Sequence, residues 1–278
     1  DELCNNTTNL GNEMYDLMKE LFPICRSITG NGVRKSLEII QKHIELQITE
    51  VPSGTKVFDW TIPKEWNISD AYIIDPNGKK IVDFNNSNLH VLNYSIPTNK
   101  KIPLKELKPH LHSIPEQPDL IPYRTSYYKE DWGFCLSHKQ LLQLQEGEYH
   151  VVIDSHLEDG TLTYGECYVK GETEDEVVIS CYVCHPSMCN DNLSGVVLTT
   201  FLAKTLTSIE TKYSYRFLFI PETIGAITWL ARNEKNLHKI KHGLVVTCVG
   251  DSGNLTYKKS RKGDHEIDTA AQNILNFS

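Results

Sequence analysis

No run of about 18 consecutive apolar residues occurs in this 278-residue sequence, which excludes a transmembrane helix by composition. Basic charge is not in excess either. The 28 Lys and Arg stand against 36 Asp and Glu, a net charge of −8, leaving no electrostatic footprint for nucleic acid or an anionic membrane. The opening residues, Asp1 to Asn6, are polar and acidic, unlike a secretory signal. Cysteine is too sparse, at 8 residues, to staple a chain this long, and several thiols fall inside apolar runs where Cys packs as a small hydrophobe. A reducing, cytoplasmic setting is the expectation. Internal repeats and low-complexity tracts are missing. What remains is an ordinary globular composition, long enough for one large domain or two smaller ones.

Periodicity divides the chain into three stretches. Residues 11–22 and 32–46 repeat apolar residues at helical spacing, the second with Val33, Leu37, Ile40 and Ile44 on one face, and residues 48–51 read as a first strand. Eight of the 12 prolines then lie between Pro63 and Pro122, so long helices are excluded there. Short alternating runs at 71–74, 80–84 and 149–153, with turn signals at Asp75-Pro76-Asn77-Gly78 and Glu158-Asp159-Gly160, predict a β-rich module inserted over 53–169. From Glu176 onward the pattern is strand 177–184, helix 192–206, strand 213–220, helix 223–233, strand 244–249, and a last helical segment over 264–278. The expected fold class is α/β: a phosphorylase/hydrolase-like mixed sheet flanked by helices, formed by 1–52 and 170–278, with the small β-rich domain inserted.

Chemistry concentrates where these strands end. The first leads into Cys184-His185-Pro186-Ser187-Met188-Cys189-Asn190-Asp191-Asn192-Leu193-Ser194-Gly195. Ligands of open α/β sheets gather at the carboxyl ends of strands. A neutral imidazole and a carboxylate there suit a borderline cation such as zinc. Glu222 follows the second strand, where a general base for a metal-activated water belongs. Asp251 follows the third. Alone, each acid is ordinary for its place: Asp191 as a helix cap, Glu222 as a first-turn acid, Asp251 as a turn residue. Three successive strands ending in such groups make the joint reading. Cys181, Cys184, His185 and Cys189 form a competing thiolate set, but residues three apart in extended chain face opposite ways, and adjacent ones such as Cys184 and His185 also face apart. Arg26, in the loop Cys25-Arg26-Ser27-Ile28-Thr29-Gly30, is a candidate to hold a substrate carboxylate or phosphate.

Asp191-Asn192-Leu193-Ser194-Gly195, the preceding His185 and the Glu222-Thr223-Ile224-Gly225 turn resemble the zinc aminopeptidases of the clan that includes bacterial leucyl aminopeptidases and glutaminyl cyclases. More closely, residues 21–30, 127–138 and 221–225 are similar to a bacterial family with an aminopeptidase-like domain and an inserted β domain, often encoded among polysaccharide-biosynthesis genes. The resemblance implies one or two zinc ions, with His185 as first ligand, Asp191 as bridging carboxylate, Glu222 as base and Asp251 near the last carboxylate ligand. Thr223 stands where the aminopeptidases carry a second acid. Their remaining His ligand falls beyond position 278, so the natural protein is expected to continue. The implied activity is hydrolysis of a small peptide or amino-acyl amide. The alternatives are a degenerate scaffold that binds a sugar, peptide or protein partner, and a cyclase- or transferase-like enzyme with a single zinc.

Overall fold

The computed structural model describes residues 2–276, with side chains from 9 to 275. Helix α1 spans Glu2–Leu21 and α2 Asn31–Ile40, followed by strand β1, Gln47–Pro52. Strands β2 (Glu65–Ile74), β3 (Lys80–Asp83), β4 (Thr98–Pro103) and β5 (Glu148–Glu158) build an antiparallel sheet in the order β3-β2-β5-β4. The chain then runs through β6 (Thr161–Val169), β7 (Glu176–Tyr182), α3 (Gly195–Leu206), β8 (Ser214–Ile220), α4 (Ile224–Arg232), β9 (Ile240–Val245) and α5 (Glu266–Asn276). The larger sheet has the order β1-β6-β8-β7-β9. Its β7, β8 and β9 are parallel, while β6 runs antiparallel to both of its neighbours, β8 and β1. No helix among the described residues is long and apolar enough to cross a membrane.

The mixed α/β architecture is the expected one, and several details differ, among them the second helix, which stops at Ile40 rather than 46. Strand β6, expected inside the inserted module, belongs to the larger sheet, where it pairs with β1 from Pro52↔Thr161 to Gln47↔Glu166 and with β8 beyond. Leu162 and Tyr164 pack in one core cluster and Cys167 and Val169 in the other, so both faces are covered and the hydrophobic alternation that marks a one-sided strand is blurred. The turn at 159–160 thus carries the chain between two sheets. Strand β9 begins and ends four residues earlier than expected: the ladder with β7 stops at Ser180↔Val245, and Cys248 adopts a left-handed φ of 52°. Regular helix α3 starts at Gly195, after an irregular turn over 189–194 whose Asp191–Asn192 peptide is cis.

Burial explains why the sheet holds. Along β8, Phe217 and Phe219 enter a cluster with Leu17, Leu21, Leu37 and Phe201, while Leu218 and Ile220 enter another with Ile224 and Trp229. That is the two-residue period of a strand covered on both faces. The second cluster continues without a break into Trp66, Ile73, Tyr149 and Ile153, so host sheet and inserted module share one core.

Two charged networks stitch these layers. Arg216 on β8 is bidentate to Glu176 on β7 (2.6 and 2.7 Å) and also bonds Glu166 on β6, whose other oxygen accepts from Trp229 Nε1. Arg34 on α2 joins host to module: it bonds Glu50 on β1 (2.6 Å), Glu65 at the start of β2 (2.8 Å from Nη1) and Thr161 Oγ1 (2.7 Å). Arg34, helped by the Thr161 amide, holds the Glu65 carboxyl down from 4.5 to about 2. A carboxylate lowered in the folded state contributes stability above its unfolded value and loses it as pH falls through the folded one. Between about pH 5 and pH 2, wild type should therefore lose roughly 1–2 kcal/mol more than Glu65→Gln, allowing for solvent screening. Urea midpoints across that range check this, and parallel curves for the two proteins would refute it.

Candidate active site

The site begins where β7 stops. The Val183 amide extends the ladder by one bond to Ile220 O (2.9 Å), and the chain then leaves strand geometry at Cys184 and His185. Arg26, from the loop between α1 and α2, fixes this departure: its Nε donates to His185 O (2.8 Å) and its Nη1 to Leu21 O (2.6 Å). The turn that follows is clamped to the end of β9. Asn192 Nδ2 donates to Val246 O (3.2 Å), and Asn192 Oδ1 accepts from the Cys248 amide (3.2 Å). Gly195 is required here, because a Cβ on it would lie 2.4 Å from Val246 O. The Asp-Asn-Leu-Ser-Gly segment is therefore a packing solution that presses the helix start against the third parallel strand and leaves Asp191 at the sheet edge.

Three of the expected residues converge. His185, only 8% exposed, has Nδ1 3.3 Å from Asp191 Oδ1 and Nε2 3.0 Å from Glu222 Oε2. The imidazole is thus bracketed by carboxylates delivered from the ends of neighbouring strands. Tyr182 donates its hydroxyl to Asp191 Oδ1, and its own oxygen pairs with Thr247 Oγ1. The His185 ring and then the Tyr182 hydroxyl hold Asp191 below the usual carboxylate range. Two tyrosines flank the imidazole, Tyr182 and Tyr123, each with its ring centroid 4.9 Å away. Burial pushes both phenols upward, so they remain neutral donors. Tyr123 comes from the inserted module, and its hydroxyl meets that of Tyr127 at 2.8 Å. Thr223, immediately after Glu222, is a β-branched residue at φ 58°, a left-handed conformation that costs of order 1–3 kcal/mol and tends to mark functional turns.

Two expected residues stand elsewhere. Arg26 is 1% exposed, so it meets the site through the His185 backbone rather than through an open face, because its Nε and Nη1 are bonded to carbonyls inside the fold. Asp251 is exposed and accepts from Asn190 Nδ2 (2.7 Å) and the Gly253 amide (2.7 Å), at the rim rather than beside His185. The left-handed Cys248 ends the extended run before Asp251 can follow it inward.

Sequence reasoning missed Tyr182, Tyr123 and Cys184. Cys184 was set aside because neighbours in a strand face apart, but the strand ends at Tyr182, and ligand atoms of Cys184, His185 and Glu222 all lie within 4.8 Å of one another. The Glu222 amide donates to Cys184 Sγ at 3.2 Å. Nothing in the sequence spacing could have brought Tyr123 to His185 across 62 residues.

These residues fit a zinc-type ion. His185 Nδ1 is a buried nitrogen with no hydrogen-bond partner, facing a carboxylate. Imidazole, thiol and carboxylate donors within reach of one another are the set that borderline cations prefer.

Comparison with known proteins bears on the fold. Residues 15–278 match the family described as "Domain of unknown function (DUF4910)". A Clostridium acetobutylicum protein named "Putative polysaccharide biosynthesis protein with aminopeptidase-like domain" is 61% identical over 275 residues, covering 99% of this chain and 63% of that protein. A crystal structure of a "putative peptidase" from the same organism superposes with a TM-score of 0.95 at 60% identity, over 98% of this chain and 65% of that one. The chain thus spans a little under two thirds of these relatives. A zinc aminopeptidase from Bacillus subtilis shares the fold at a TM-score of 0.63 and 13% identity, over 95% of this chain and 77% of that one. A peptidase M28 precursor from Shewanella amazonensis does so at 0.54 and 13%, over 93% and 76%. With residues 15–278 matched by its model, the chain belongs to the DUF4910 family, and its sheet carries an aminopeptidase-like fold.

Proposed function

We propose that the protein is a zinc-dependent, aminopeptidase-like hydrolase acting on a small peptide or amino-acyl amide. The observation that carries this reading is the His185 imidazole bracketed by Asp191 and Glu222 at the carboxyl edge of the parallel strands. His185 and Asp191 would hold the ion; Asp251 accepts from Asn190 at the rim. Zinc at this place would polarise the scissile carbonyl and acidify the attacking water. Glu222, with its side chain 49% exposed, takes the water's proton and returns it to the leaving amine. Asp191 also keeps its charge under the Tyr182 hydroxyl, and Arg26 fixes the backbone from which His185 projects. Tyr123 covers one side of the imidazole with its ring, which favours a short or terminal substrate. The name of the Clostridium relative makes an amide-bearing precursor of a polysaccharide a substrate to try beside short peptides.

Thr223, in place of a second acid, favours a second reading, a scaffold that binds an ion and a ligand without turnover. Zinc titration of the intact protein, coupled to an assay on amino-acyl amides, separates them. Stoichiometric zinc with turnover is expected, and Asp191→Asn should weaken zinc by at least about tenfold. Zinc without turnover on any amide supports the scaffold, and no zinc at all refutes both.

A further inference from the structure

We infer that Tyr128 and Trp60 form the subsite that selects the substrate, taking a ring carried beside the scissile amide; this rests on the hydrolase reading for where that amide lies. Residues 127–138 are among those by which the chain resembles its family, yet nothing in the chemistry above uses them. Rings link this segment to the reactive residues. Tyr123, 4.9 Å from the His185 ring, meets the Tyr127 hydroxyl at 2.8 Å. The Tyr127 ring lies 6.2 Å from that of Tyr128, and Tyr128 stands 5.4 Å from Trp60 at an interplanar angle of 79°. The series runs outward: Tyr123 and Tyr127 are half-buried, and Tyr128 is 49% exposed. Trp60 arrives from a second direction. It sits on the hairpin of Lys56–Val57 and Trp60–Thr61, which packs against α4, the helix that follows Glu222. Burial, and after it the acid-forming groups of Cys184 and Glu222, push the Tyr128 phenol up to about 12, so it is a neutral donor within electrostatic reach of the proposed base.

Core packing does not call for these rings to be where they are. Tyr128 adopts a φ of 67°, and Phe58, at the tip of the same hairpin, a φ of 54° with 53% exposure. Left-handed backbone is an outlier for a bulky side chain; it persists where the surroundings over-determine it, and such residues cluster at ligand clamps. The corner between Tyr128 and Trp60 offers a third ring a face on one side and an edge on the other, the two arrangements that aromatic pairs prefer. A pyranose stacks on the same face through its axial C–H bonds. A branched aliphatic group has no flat side to fill the corner. The ligand class is therefore a ring-bearing amide, either an aromatic amino-acyl amide or an aminoacylated amino sugar.

Calorimetric binding to the intact protein in the presence of zinc tests this without requiring turnover. Two matched pairs serve as probes: phenylalaninamide against leucinamide, and glycylglucosamine against glycylethanolamine. In at least one pair the ring should bind about fivefold more tightly, and the pair that shows it identifies the source of the ring. Tyr128→Ala should bring that ratio to within about twofold, whereas Tyr128→Phe, which keeps the ring, should preserve it. Should Tyr128→Ala fail to fold, Trp60→Leu must show the same loss. Ratios within about twofold for both pairs in wild type, or a preference that survives Tyr128→Ala, overturn the subsite while leaving the hydrolase reading to the zinc and turnover assays above. Binding of none of the four probes overturns both.

Discussion

Glu222→Gln is expected to lower amide turnover roughly 10²- to 10⁴-fold while the protein stays folded and retains its ion. The argument is local. Glu222 follows β8 on a strained turn, half exposed, with Oε2 3.0 Å from His185 Nε2. Glutamine keeps the shape and can still bond the imidazole, but it cannot accept a proton. A loss confined to kcat, with substrate affinity little changed, identifies a group needed only in the transition state. If the variant instead loses zinc together with activity, Glu222 is a ligand and the proton must go elsewhere. If turnover survives within a factor of about two, the base assignment is wrong.

Arg216→Met should destabilise the fold by about 3–5 kcal/mol, the usual cost of removing one partner from a buried ion pair. In a chain of this size that lowers Tm by roughly 10 °C. Arg216 sits on the middle strand of the larger sheet and neutralises two acids at once, Glu166 on one side and the buried Glu176 on the other. Without it, Glu176 is left charged and nearly sealed from water, 5% exposed. The double variant Arg216→Met/Glu176→Met should recover much of the loss, since a buried pair replaced by apolar groups is often neutral. Thermal or urea unfolding decides. A single variant within about 1 kcal/mol of wild type would mean the network is solvated and inert.

Much of the host sheet was legible because its strands alternate with helices at regular spacing; His185 and Glu222 stood out because each follows a strand, and Asp191 because it stands at the start of the next helical segment. Their meeting follows from parallel order: β7 and β8 are adjacent, so their carboxyl ends share one edge. Asp251 misled because the extended run 244–249 reads as strand to its end, whereas pairing with β7 stops at Val245. Arg26 misled for a different reason. Sequence shows a cation in a loop with hydroxyls, but not that Leu21 and His185 would turn their carbonyls toward it and take it into the core. Tyr123 could not be read at all, since its place depends on how a proline-rich module packs against a sheet formed elsewhere in the chain.

The ladder between β1 and β6 begins at Pro52↔Thr161, so the module leaves and re-enters the host at facing residues. Opening a single hairpin therefore suffices to admit a whole domain, with no strand of the host rerouted.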